Sequence, residues 1–153
     1  MYTTVLILHS LVRWLVLFFG IISAVLGIAG WASRRSWSSV DEVFSTWCTI
    51  VFDIQFLLGI LLYAVLSPLT SQAFQDFGAA MKNSGLRYWT VEHETLMVIA
   101  LVLVHIGRVR IRKSAAPVNK HRAAAIFVGI AMLLVLLGIP WPGWANGRPL
   151  LRF

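Results

Sequence analysis

The chain has a single cysteine, Cys48, so no disulfide can form within it and no thiolate cluster can hold zinc or iron–sulfur. Cys48 stands in an apolar run and is expected to be a small core residue. Charge is scarce too. Asp, Glu, Lys and Arg make up 12% of 153 residues, about half the usual share of ~25%. The sequence contains no GxSxG, no P-loop and no HExxH, which removes the common hydrolase, nucleotide and zinc-protease signatures. It has no CxxCH, so covalent c-type haem attachment is excluded. The histidines, methionines and lone cysteine are too few for a copper site. Neither an internal repeat nor a low-complexity tract is present, and a transporter of the inverted-repeat kind is not indicated.

What is abundant is apolar surface. Hydrophobic residues reach 59% and the mean hydropathy is +0.81, against roughly 45–50% apolar residues in soluble domains. The reading is an integral membrane protein: one all-α domain over residues 1–153, a four-helix transmembrane bundle with up-down connectivity. The spans are expected at about residues 4–31, 43–67, 91–107 and 123–139. The first segment lacks a basic n-region and a small-x-small cleavage site, so a retained span is expected rather than a signal peptide. Pro68 ends the second span. Thr90 is the expected N-cap of the third, with Glu92 and Glu94 in its first turn. Pro140 and Pro142 break the fourth. The long loop over 69–89 holds Phe74, Phe77 and Met81 among polar residues, which suits a short amphipathic helix at the interface.

The net charge of +7 is unevenly placed and reads as topology rather than nucleic-acid binding. Arg34, Arg35, Arg108, Arg110, Arg112, Lys113, Lys120 and Arg122 fall on one side, and Lys82, Arg87, Arg148 and Arg152 on the other. Eight against four puts both basic loops in the cytoplasm and both termini outside. Trp89, Trp141 and Trp144 then belong to the outer aromatic belt, and Trp31 and Trp37 to the inner one. Anionic lipid head groups are expected to gather at the basic loop.

Titratable residues inside spans are costly and need a reason. In the first span His9, Arg13, Val16, Gly20, Gly27 and Trp31 share a stripe, and its glycines permit close approach by a helix or a flat ligand. His93, Met97, Ala100, Val104 and Gly107 form a comparable stripe in the third. At about 1.5 Å per residue, His9 and His93 each lie within about two turns of the outer surface. They can meet if their helices are neighbours, and could then clamp a haem iron, with Arg13 or Arg87 pairing its propionates. The alternative is a hydrogen-bond network of His9 and Arg13 with Gln55, Glu92 or Glu94. His105 falls near the inner end of the third span, away from His9. Asp53 and Gln55 lie mid-span on opposite faces, and a proton-relay role for Asp53 is a further option. His121 falls in the basic loop and is expected to be solvated.

Five stretches carry a resemblance: LHSLVRWL (8–15), DIQFLLGILLY (53–63), LRYWTVEH (86–93), HIGR (105–108) and GIPWPGWANGRP (138–149). Together they resemble a family of small bacterial four-helix membrane proteins commonly labelled "cytochrome b", akin to b-type cytochromes of the b561 kind. The resemblance implies a multi-pass protein of the bacterial cytoplasmic (inner) membrane that binds haem b through helix histidines. It implies a membrane oxidoreductase or electron carrier that exchanges electrons with quinone or a partner subunit. His9 resembles the ligand of the first helix, and His93 and His105 share one helix as paired ligands often do. The fourth span has no histidine, and Asp53 stands where a second-haem ligand would be expected. One haem b or none follows, with His9 and His93 as ligands and Arg13 and Arg87 beside them. Asp53, His105, Gln55, Glu92 and Glu94 remain as a polar or proton network. The second function in view is a cofactor-free accessory subunit of a larger respiratory or other energy-transducing membrane complex.

Overall fold

The computed structural model describes residues 1–151, and Arg152, counted above with the outer basic residues, lies outside them. Every regular element among the described residues is helical. Helix α1 spans Tyr2–Ser33 and ends at Arg34, whose left-handed backbone (φ 53°) turns the chain. Helix α2 (Ser39–Leu61) begins with a capping box between Ser38 and Asp41 and continues through a π-turn, Leu62–Leu66. Two short helices follow, α3 (Pro68–Gln75) and α4 (Phe77–Lys82). They fall in the stretch where a short amphipathic helix is expected: Ala73 and Ala80 are buried, while Phe74 and Phe77 stack on the exposed side.

The third long helix starts earlier than the sequence suggested. Asn83, not Thr90, provides the side-chain cap, accepting from the Leu86 amide. Helix α5 (Ser84–Arg87) runs through a π-turn (Tyr88–Glu92) into α6 (His93–Lys113), leaving Thr90 buried inside the rod. Helix α6 also ends six residues later than expected, so Arg108, Arg110, Arg112 and Lys113 are helical and His105 lies well inside the element. Helix α7 (Pro117–Ala123) passes through a third π-turn (Ala124–Val128) into α8 (Gly129–Gly138). Pro117 at the first helical position explains this early start, because proline favours that place.

Three rods are long and apolar enough to cross a membrane: Tyr2–Ser33, Ser39–Leu66 and Pro117–Gly138. The α6 rod does not join them by that measure, because Glu94 and its four basic residues bound a shorter uncharged run. Helices α1 and α6 each pack against both α2 and the α7–α8 rod, so α1 and α6 face one another across the diagonal. Val16, Cys48, Phe52, Ala100, Val104 and Val128 meet in the centre. The outer faces are as apolar as the core: Leu15, Phe18, Val25, Leu57, Val102 and Leu133 are all exposed. Contiguous apolar exposure of this kind marks a surface meant for something other than water.

The glycine stripe of α1 serves helix packing. A Cβ on Gly27 would come within 2.6 Å of the Ala125 backbone nitrogen, and one on Gly30 would overlap the His121 ring. His121 is therefore not solvated as expected. It is fully buried, with Nε2 donating to the Ser36 carbonyl at 3.3 Å and its ring 4.9 Å from that of Trp37. The α7 helix turns it inward, which a loop reading of that stretch could not show.

Candidate functional site

Pro140 and Pro142 do more than stop α8. In a helix the carbonyl of residue i accepts from the amide of i+4, and proline has no N–H. Leu136 and Gly138 therefore lose their normal donors. The Trp141 indole N–H takes the first carbonyl, at 2.8 Å. Two side chains take the second: the Tyr88 hydroxyl and His93 Nδ1–H both donate to Gly138 at 2.8 Å. The Tyr88–Glu92 π-turn sets the phase that brings Tyr88 and His93 to the same carbonyl.

His93 lines a cavity of about 90 Å³ whose walls come from α1, α2, α6, the end of α8 and the tail. Its polar residues are His9, Ser10, Arg13, Gln55, Glu94 and Arg148, and Phe52, Phe56, Met97, Leu101, Val135 and Ile139 are among its apolar walls. His9 and His93 thus approach one space from opposite corners of the bundle rather than from neighbouring helices. Gly59 leaves room for the His9 ring, since a Cβ there would stand 3.3 Å from its Cε1. Gln55 Nε2 donates to His9 Nε2 at 3.2 Å, which places the ring proton on Nδ1. His9 Nδ1 and Gln55 Oε1 are buried without hydrogen-bond partners. Unmatched polar atoms in so apolar a chamber are costly and call for a ligand or water.

The tail folds back over the mouth. The Leu150 carbonyl accepts from Arg13 at 2.6 Å and from the Trp14 indole at 3.3 Å. The Arg148 guanidinium lies 5.3 Å from the centre of the Trp89 ring, and both residues line the cavity. Arg148 stands where Arg87 was expected. Arg87 is turned away, pairing with Glu92 at 2.6 Å and donating to the Met81 carbonyl at 3.1 Å.

The five residues grouped as one polar network separate into several. Gln55 joins His9, Glu92 joins Arg87, and Glu94 lines the cavity. Asp53 and His105 form a pair of their own at 2.7 Å, with side chains 46% and 47% exposed on an outer face. Arg108 ties α6 to the start of α2 through Glu42 at 2.7 Å and Thr46 at 2.8 Å. Gly138, Tyr88 and Arg148 were missed as site residues. The signal was present in the Gly-Ile-Pro-Trp-Pro run, whose prolines free two carbonyls.

Among the described residues no group of three or more His, Cys, Asp or Glu is arranged to hold a bare metal ion. Comparisons with family models, curated proteins and solved structures found no match to this chain.

Proposed function

We propose that the chain is a four-helix transmembrane bundle of a bacterial cytoplasmic membrane, termini outside, that carries electrons through one haem b between His9 and His93. The observation that supports this most is the setting of His93. With Nδ1–H held by the Gly138 carbonyl, Nε2 is the nitrogen with a free lone pair, the arrangement usual for iron-ligating histidines. The donor set suits a haem: imidazoles from diagonal helices, apolar walls, and Arg13 and Arg148 near the mouth for carboxylates. Helix α6 is the remaining span in this reading, supported by its place between α2 and the α7–α8 rod.

The haem would supply the one-electron chemistry. The chain's part is to orient His93 through Gly138, to exclude water with Phe52, Phe56, Met97 and Val135, and to hold positive charge at the mouth. The cavity volume of about 90 Å³ is below the roughly 300–1,000 Å³ of ligand pockets. Loading therefore requires Gln55 to leave His9 and the neighbouring side chains to withdraw. Electrons would come from quinol or a partner subunit.

The accessory-subunit reading is favoured by a different observation, the half-exposed Asp53–His105 pair on an apolar face, which another subunit would cover. One experiment separates the two. The protein is expressed with ample haem supply, purified, and its absorption spectrum compared with those of His9→Ala and His93→Ala. A Soret band lost in both variants supports the haem reading. A wild-type sample with no Soret band overturns it, and co-purifying subunits in that sample support the second.

A further inference from the structure

At the opposite end of the bundle from His9 and His93, Arg110, Lys113 and Arg122 surround a pocket of about 490 Å³ between α6 and α7. No carboxylate pairs with any of the three among the described residues. Two of the three charged heads lie over aromatic rings: the Arg110 guanidinium is 5.2 Å from the centre of Phe127 and that of Arg122 5.8 Å from the centre of Trp31. Asn119 and Ser114 add uncharged hydrogen-bonding groups to the same wall. Three unneutralised cations with polar neighbours suit an anionic phosphate.

A second concavity shares one wall residue with this one. Ile126 lines both the basic pocket and an apolar groove of about 440 Å³ between α1 and α8, walled by Val25, Ile28, Ile130 and Leu133. Gly129 lies in its wall, and a Cβ placed there would meet nothing within 4 Å. A charged pocket and an uncharged groove that meet at Ile126 suit a molecule with a phosphate head and a hydrocarbon tail laid across that residue. Basic pockets at the cytoplasmic ends of membrane helices are known to take such head groups.

We propose that this composite site binds one anionic phospholipid, its phosphate between Arg110, Lys113 and Arg122 and one acyl chain along Ile126, Gly129 and Ile130. The inference rests on the membrane reading above but not on the haem.

The full-length protein, in neutral detergent, is titrated with phosphatidylglycerol, phosphatidylcholine of the same chains, or inorganic phosphate. Thermal unfolding is followed by circular dichroism, and retained lipid is counted by native mass spectrometry. Phosphatidylglycerol raises the Tm and one molecule stays bound per chain, while phosphatidylcholine does neither. Apparent affinity falls about fivefold for each of Arg110→Gln and Arg122→Gln. Gly129→Leu fills the groove, folds as well as the wild type because leucine is the better helix former, and loses the lipid response. Equal effects of the two lipids, wild-type lipid binding by Gly129→Leu, or a phosphate effect matching that of phosphatidylglycerol would each overturn the proposal. Wild-type retention of the anionic lipid is counted separately, so a variant that fails to fold does not decide the matter. A protein that stays soluble without detergent and does not enter vesicles refutes the membrane reading instead.

Discussion

His93 is oriented by Gly138: its Nδ1–H donates at 2.8 Å to a carbonyl that Pro142 deprives of a helical donor. Tyr88 shares that acceptor at the same distance. Tyr88→Phe removes one of the two donors and leaves the other. Thermal denaturation should show a loss of about 1 kcal/mol, the usual worth of one such bond. The His93 ring keeps its anchor, so any Soret maximum should not move.

Gln55 distinguishes the haem from a plain hydrogen-bond network. It occupies His9 Nε2 in this structure, and the haem reading requires it to leave. Gln55→Leu should therefore retain or increase haem content, measured as the ratio of Soret to protein absorbance. A network reading expects instead a stability loss of about 1–3 kcal/mol from an unmatched buried imidazole.

Gly30 and His121 form a close contact between α1 and α7 that admits no side chain on the glycine. Gly30→Leu should destabilise the bundle by about 1–3 kcal/mol through overpacking. Adding His121→Ala should recover part of that loss, because the ring that blocks the new side chain is gone. The double variant melting no higher than Gly30→Leu alone would show that the contact is not the cause.

Asp53 and His105 face outward together at 2.7 Å. In a membrane, removing one partner strands the other in apolar surroundings, whereas removing both does not. Asp53→Leu and His105→Leu should each lower thermal stability in detergent more than the double variant does. If Asp53 also relays protons, Asp53→Asn should abolish proton-linked activity in reconstituted vesicles, and unchanged activity rejects that role.

Ser38 begins α2 by a reciprocal bond with Asp41, which also receives both terminal nitrogens of Arg35 at 2.6 Å. Ser38→Ala should cost about 1 kcal/mol in thermal unfolding, as loss of an N-cap usually does.

Much of this arrangement can be read along the chain. Hydrophobic runs mark the rods, and Pro68 and Pro140 mark two of their ends. The stripe of His9, Gly20 and Gly27 gives the inner face of α1, because helical phase is a local property. Boundaries were harder. Thr90 and the stretch after Gly107 looked like ends because they are polar, but Asn83 caps earlier and the basic residues of α6 stay helical at the rod's edge.

The composition, charge placement and phase of this sequence determine an all-helical, strongly apolar chain with histidines at matching heights. Those properties depend on residues close together in the chain. Tertiary structure alone decided the partners. It set α1 and α6 on the diagonal, so His9 and His93 line one chamber from opposite corners. It turned Arg87 out and Arg148 in, buried His121 against Gly30, and joined Asp53 to His105 on the outside. Each of these pairings depends on how whole helices rotate against one another, and that rotation is settled by packing over the full length of the bundle.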